Sequence, residues 1–358
     1  MRKIVSLSIA NLALLLFVVA PLGTAYAAKS VPKESFRIAS YNILGEAHVG
    51  KGNSIGKCGN GGGCMDVRAD RVAKIVRGSL GFKSRTYLNT GFDVFGVQEL
   101  GRTQFVIFDR KLPDYSHYPA AMENYSKRTI YWKKTRFILV DAGYVEYPWY
   151  GDARGQARGR AMWVKLKDRK TSGVFYVLNH HPVAWNKDRG WDRGGAQKRE
   201  ATAKIVSSWV KRTRKASKLP VFVIGDFNSE FQLRSLNDRA YSGNRKRLPY
   251  CTLTDQPMLH VLDARDNKKG KCPRDTKNSE NFSIDHIFVT HGAKVINAVA
   301  MKRHTTLLKT ASDHAPVFAD VVVGGNTAVS MPDRVTRTIA TPPDPPPEAE
   351  VLGADIGR

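Results

Sequence analysis

Ser312-Asp313-His314-Ala315-Pro316 runs directly into Val317-Phe318-Ala319-Asp320-Val321-Val322-Val323, a polar stretch at the mouth of an apolar strand read over residues 316–323. Strand ends sit at the rim of a sheet, so this stretch hangs an acid and an imidazole on one rim. Five more strand ends turn polar in the same way: Ser40-Tyr41-Asn42, Gln98-Glu99, Asn179-His180-His181, Gly225-Asp226-Phe227-Asn228 and Ser283-Ile284-Asp285. Any one of them is explained by the preference of Asn and Asp for turns. Together they supply hard oxygen ligands for a divalent cation, amide donors for a phosphate, and imidazoles that exchange protons near neutral pH.

The apolar runs that feed these ends are read as strands over residues 36–42, 94–97, 174–179, 221–224 and 284–289, with further strands at 129–132, 137–144 and 161–166. The run 94–97, opened by Asp93, is continuous enough for a strand buried on both faces. A Gly-rich loop is expected over residues 50–63. Asp66 then reads as a helix N-cap, followed by Val72, Ile75, Val76 and Leu80 at helical spacing. A second helix is read from about Gln197 to Lys215. There Ile205, Val206, Trp209 and Val210 form a stripe, with Lys198, Lys204, Lys211 and Arg212 mostly off it. Many strands, few helices and no internal repeat suit two packed sheets with helices outside.

The chain ends differ in kind from this middle. Arg2 and Lys3 precede an apolar run from Ile4 to Ala20, and Ala25-Tyr26-Ala27 offers small residues for signal cleavage after Ala27. Residues 1–27 are therefore expected to be a signal peptide, residues 28–323 the folded domain, and residues 324–358 a disordered tail. Thr341-Pro342-Pro343-Asp344-Pro345-Pro346-Pro347 continues neither a helix nor a ladder. No other stretch is long and apolar enough to span a bilayer, so the expected product is secreted and extracellular, a monomer by default. In an oxidising compartment Cys58, Cys64, Cys251 and Cys272 form two disulfides with three connectivities open. Closeness favours Cys58 with Cys64 and Cys251 with Cys272. Zinc is the alternative, although neither pair has short Cys-x-x-Cys spacing.

The ordered set of strand ends resembles the endonuclease/exonuclease/phosphatase superfamily, the DNase I-like group. It supplies an early Asn, a Gln-Glu, an Asn-x-His, a Gly-Asp-x-Asn, an Ile-Asp-x-Ile-Phe-Val and a terminal Ser-Asp-His-x-Pro-Val. The resemblance spans about Phe36 to Val323 and implies a four-layered α/β/β/α sandwich of two mixed sheets. It also implies Mg2+, with Mn2+ or Ca2+ as alternatives. Glu99 would be the principal metal carboxylate, with Asn42 and Asp313 close to the ion or its waters. Asp226 would position or deprotonate water, and Asn228 would donate to a phosphoryl oxygen. His314 would face the phosphate with Asp285 holding its tautomer, and His181 would lie on the other side. His181 is preferred over His180 on motif spacing and strand alternation.

Two departures stand out. The Tyr-x-Glu that pairs with the first catalytic His in DNase I reads Tyr125-Ser126-Lys127 here, and the Trp-Cys of inositol phosphatases is replaced by Ser283-Ile284.

The chain carries 57 Lys+Arg against 32 Asp+Glu, a formal net charge of +25, with 42% hydrophobic residues. That composition excludes wholesale disorder and makes polyanions the natural partners. Arg154, Arg158, Arg160, Lys165, Lys167 and Arg169 crowd one stretch, and Trp185 and Trp191 lie in a basic loop after it. Such a mixture grips phosphates and stacks on bases, and Arg160 is the candidate phosphate contact. The expected function is a secreted metal-dependent phosphodiesterase, a nuclease acting on DNA or RNA with endonuclease action favoured. The alternatives are a sphingomyelinase-like phospholipase C that meets an anionic lipid surface or another phosphatase of the same fold, and an inactive polyanion-binding module, which would lack metal ligands.

Overall fold

The computed structural model describes residues 33–45, 63–78, 90–121, 127–148, 158–184, 193–229, 249–254, 258–261, 284–301 and 305–324. Twelve strands are described: β1 (Phe36–Asn42), β2 (Val94–Gln98), β3 (Tyr115–Tyr118), β4 (Arg128–Lys133), β5 (Phe137–Pro148), β6 (Arg158–Asp168), β7 (Val174–His180), β8 (Val221–Asp226), β9 (Met258–His260), β10 (Asp285–Thr290), β11 (Ala293–Ala300) and β12 (Val317–Val323). The described helices are α1 (Gly63–Val76), α2 (Arg102–Lys111), α3 (Arg193–Ser217), α4 (Pro249–Thr254) and α5 (Thr306–Ala311).

They form two six-stranded mixed sheets, ordered β11-β12-β1-β2-β4-β3 and β5-β6-β7-β8-β10-β9. Phe36, Ile38 and Val94 from the first sheet meet Phe175, Phe222 and Ile287 from the second in the layer between them. Outside, α1, α2 and α5 cover the first sheet through Val72, Phe108 and Leu308. Val206, Val210 and Tyr250 of α3 and α4 cover the second. The expected α/β/β/α sandwich is therefore present.

Each sheet holds one parallel pair, β1–β2 and β7–β8, bridged by α1 and α3 respectively. A parallel pair needs a crossover, and both strands of the pair then end on the same edge of the sheet. Antiparallel β10 begins opposite the end of β8, with Asp285 paired to Asp226. Antiparallel β12 begins beside the end of β1, with Val317 paired to Ser40.

Several expectations are corrected. Asp66 lies inside the first turn of α1 rather than capping it, where its charge still faces the positive end of the helix dipole. Strand β12 begins at Val317, since Pro316 has no N–H to give a ladder, and β10 begins at Asp285. Helix α3 starts at Arg193, earlier than read. Strand β5 runs to Pro148, past the Tyr144 at which its end was read, with a bulge between Leu139 and Asp141. Three further strands (β3, β9, β11) and three helices (α2, α4, α5) were not anticipated. The described cysteines include no free thiol, and buried Cys251 is disulfide-bonded. Cys58, Cys272, the signal segment, the Tyr125-Ser126 match, Trp185, Trp191 and the Pro-rich tail lie outside the described residues.

Candidate active site

Alternation along each central strand carries the inner face from apolar to polar at one end of the sandwich. On β1 the inner residues run Phe36, Ile38, Ser40, Asn42; on β7, Phe175, Val177, Asn179, then His181. On β8 they run Phe222, Ile224, Asp226, and on β10, read backward, Val289, Ile287, Asp285. Period-two geometry thus sends one polar residue from each strand into the same space. Gln98 and Asn179 seal its floor. Gln98 Nε2 donates to Asn179 Oδ1 at 2.7 Å, and Asn179 Nδ2 donates across the sheets to the carbonyls of Val97 and Thr129 at 2.8 and 3.1 Å. Gly96 makes room for this link, since a Cβ there would sit 2.8 Å from Asn179 Cγ.

Strict alternation would send Glu99 outward. Its φ of 61° breaks the extended run, a conformation that costs about 1–3 kcal/mol and persists where surrounding contacts impose it. Those contacts are explicit. Glu99 Oε1 accepts from Asn42 Nδ2 at 2.9 Å, and Oε2 accepts from the Gly45 N–H at 2.8 Å. Asn42 Nδ2 also donates to Asp226 Oδ2 at 3.0 Å, while its Oδ1 is engaged by the Leu44 N–H. Asn42 therefore meets both carboxylates as a donor, with its oxygen turned away from them.

Asp226 Oδ2 is the hub. Besides Asn42 it lies 3.6 Å from His181 Nε2 and 3.8 Å from His314 Nε2, and Oδ1 accepts from the Asn228 N–H at 2.8 Å. Burial, then the neighbouring Asp285 charge, push this carboxyl up to about 7, against the opposing pull of His314, Asn42 and Asn228. Asn228 itself sits at φ 46° and spends one Nδ2 proton on the Pro182 carbonyl.

The two imidazoles are driven apart. His314 Nδ1 lies 2.7 Å from Asp285 Oδ2, which directs Nε2 at Asp226. Burial alone would lower His314, but the charge and hydrogen bond of Asp285, then Asp226 and Asp313, outweigh it and carry the ring up to about 10. His181 goes the other way, held well below the usual range by burial first and then by Arg128, His314, His180 and Lys127. The cationic Arg128 and Lys127 act on it from one side, and the Asp226 carboxylate lies 3.6 Å from its Nε2. Its Nε2 is buried with no hydrogen-bond partner. His180 packs on the opposite face between the rings of Tyr147 and Phe227, so alternation separates the pair as expected.

Of the sequence-selected residues, Asn42, Glu99, His181, Asp226, Asp285 and His314 converge. Asp313 flanks His314 and lies 3.4 Å from Ser312 Oγ, whose hydroxyl also donates to the Asn42 carbonyl at 2.7 Å. Arg160 stands at the side. Extending the β6–β7 register places it opposite His181, but its guanidinium lies 4.2 Å over the Tyr144 ring and 3.5 Å from Glu146.

Two supporting residues escaped the sequence reading. Arg128 Nε and Nη2 both donate to the His181 carbonyl. Arg68 of α1 donates to the carbonyls of Ile43 and Leu44 at 2.6 and 2.5 Å and of Ala311 at 3.3 Å, tying the segment after Asn42 to the one before Asp313. A lone Arg on a helix or at a strand start carries no sequence signal for such a role.

Glu99, His181 and Asp226 bring ligand atoms within 4.8 Å of one another, as do Asp226, Asp285 and His314. Two carboxylates facing an unpartnered imidazole suit a divalent cation and a phosphoryl group better than they suit one another. The fold and this cluster define a class, the metal-assisted hydrolases of phosphate esters built on a two-sheet sandwich. The chain belongs to the Endonuclease/Exonuclease/phosphatase family, whose sequence model matches residues 39–314.

Solved structures share the fold. A mannosyl-6-phosphatase of Bacteroides thetaiotaomicron VPI-5482 is 19% identical over 80% of this chain and 100% of its own, with a TM-score of 0.54. Family proteins from Bacteroides thetaiotaomicron and Bacteroides vulgatus are each 18% identical over 81% of this chain and cover 98% and 100% of their own, both with a TM-score of 0.53. No curated protein matches the sequence.

Proposed function

We propose that the chain hydrolyses phosphodiester bonds of nucleic acid, with a divalent cation, magnesium by preference, held chiefly by Glu99. The observation that carries this reading is the single oxygen Asp226 Oδ2, ringed by Asn42 Nδ2, His181 Nε2 and His314 Nε2. Asn42 donates to both Glu99 and Asp226 and so fixes their orientation. The ion, when bound, would neutralise charge on the phosphoryl oxygens.

Water attacks phosphorus in line with the leaving oxygen and gives its proton to Asp226, whose raised pKa suits a base working near neutral pH. The new P–O bond forms as the ester P–O bond breaks. His314, kept protonated by Asp285, supplies a proton to the departing oxygen. His181, kept neutral, faces the phosphate as a hydrogen-bonding group. Nucleic acid is favoured over smaller esters by the net charge of +25, which concentrates polyanions at the surface. Glu99, Asp226 and Asp313 are all present in the sequence, which speaks against an inactive binding module. Release after signal cleavage at Ala27 belongs to the same proposal.

The test is nicking of supercoiled plasmid by the purified chain with magnesium, with chelator, and beside Glu99→Ala, with sphingomyelin hydrolysis measured in parallel. Nicking lost with chelator and falling at least about a hundredfold in Glu99→Ala supports the reading. Sphingomyelin turnover without nicking, or nicking that survives both treatments, overturns it.

A further inference from the structure

Among the described residues, the exposed large hydrophobic side chains concentrate on one strand. Ile138, Leu139 and Val140 are 37%, 42% and 38% exposed, and Tyr144 on the same strand is 47% exposed. This strand, β5, is the outer edge of its sheet, the bulge between Leu139 and Asp141 adds Val140 to it, and the three consecutive aliphatic residues Ile138 to Val140 are all exposed. An edge strand that shows aliphatic side chains and unpaired backbone groups is a surface waiting for a partner.

The corner around it is basic. Lys167 pairs across from Ile138 and Lys165 across from Asp141, while Lys134, Arg169, Lys170 and Lys33 crowd the adjoining turns. Lys170 Nζ reaches the Lys33 carbonyl, and the Arg169 N–H reaches the Arg136 carbonyl. Of the acids nearby, Asp168 is buried and bound to Arg136 at 2.9 Å, which leaves Glu34, Asp141 and the exposed Asp114, whose carbonyl accepts from the Lys134 N–H, beside the basic cluster. The corner lies far from the catalytic end. Seven residues of β6 separate Arg160, opposite His181, from Lys167, about 23 Å at the rise of a strand.

We propose that the bulged edge of β5, with the basic residues around it, docks the protein on an anionic lipid surface. The aliphatic triplet enters the headgroup boundary, the lysines meet the phosphates, and the catalytic end faces away from the bilayer. Nucleic acid would satisfy the lysines but leave the triplet in water. A second copy would cover the triplet but bring two basic corners together. Only an anionic bilayer takes both features. The inference stands apart from the proposed reaction, because no residue of the catalytic cluster takes part.

The experiment is sedimentation of the whole chain with vesicles of phosphatidylserine in phosphatidylcholine, with phosphatidylcholine alone and with short duplex DNA as controls. The variants are Leu139→Ser/Val140→Ser and Lys134→Ala/Arg169→Ala. The apolar N-terminal run is common to every arm, so binding is read as a ratio to the unaltered chain.

The proposal expects tighter binding to serine-containing vesicles than to neutral ones. It expects a loss of about 25-fold in the basic-residue variant, at about fivefold per cation, and a loss of at least about tenfold in the aliphatic variant. Circular dichroism and hydrolysis of a soluble phosphodiester should be unchanged in both. Binding that falls only with the basic residues and equally for DNA makes the corner a polyanion patch and overturns the proposal. So does a concentration-dependent dimer abolished by the serine substitutions, or vesicle binding that neither variant alters.

Discussion

Replacing Asp285 by Asn keeps the shape of the group beside His314 and removes its charge. In the native site His314 titrates at about 10, because the charge and hydrogen bond of Asp285 outweigh burial. Without that charge the lowering effect of burial is opposed only by Asp226 and Asp313, so the ring titrates below about 10. At pH 8 a ring held at about 10 is about 99% protonated, whereas one returned to the ordinary 6.5 is about 3% protonated. The rate at pH 8 should therefore drop, by about 30-fold from protonation alone where the ring returns fully to 6.5, with more lost if the amide selects the wrong tautomer.

The second consequence has its own sign. Asp285 also raises Asp226, so its neutralisation lets Asp226 fall from about 7 towards 3.8. If Asp226 must be ionised and His314 protonated, the native profile is a bell with limbs near 7 and 10, apparent values that belong to the coupled cluster. Both limbs should move towards acid in the variant. The assay is kcat/KM for a chromogenic phosphodiester across the pH range at fixed magnesium, with circular dichroism to confirm the fold. A variant that keeps its basic limb near 10, whatever its absolute rate, would refute the assignment of His314 as the protonated partner of Asp285.

Three further substitutions probe the frame of the site. Asp226→Asn should be inactive yet more stable than the native chain at pH 8. A carboxyl raised from 3.8 to about 7 costs stability as pH rises through that window, so the advantage in thermal midpoint should shrink between pH 8 and pH 4. Arg68→Met should raise the magnesium concentration at half-maximal rate several-fold, with a smaller effect on KM for substrate at saturating metal. It frees the carbonyls of Ile43, Leu44 and Ala311 that hold the segments of Asn42 and Asp313, and an unchanged metal titration would count against that role. Gly225→Ala would place a Cβ 1.8 Å from the His180 carbonyl oxygen, where β7 and β8 pair in parallel, so a loss above about 4 kcal/mol in urea unfolding is expected and a near-native midpoint would contradict it.

What could be read from the sequence followed from periodicity. Runs such as Phe36–Asn42 and Val221–Asp226 announce buried strands because both faces are covered, and their polar last residues announce a rim. Elements whose patterns mislead escaped notice. In α2 the apolar cluster Phe105-Val106-Ile107-Phe108 mimics a strand, while β3 reads Tyr-Ser-His-Tyr and is held in the sheet by pairing with β4 rather than by its own composition. The candidate cluster was legible in its membership but not in its charges. Asp285 and Asp226 are both aspartates at strand ends, and only their antiparallel pairing, which sets one against His314 and both against each other, separates a partner for imidazolium from a carboxyl near 7. The same holds for the histidines. In Asn179-His180-His181 spacing and alternation single out His181, but only the fold packs His180 between the rings of Tyr147 and Phe227 and leaves His181 a neutral imidazole facing Asp226. Local pattern chooses which residues reach the rim, and long-range register decides which charge each one carries there.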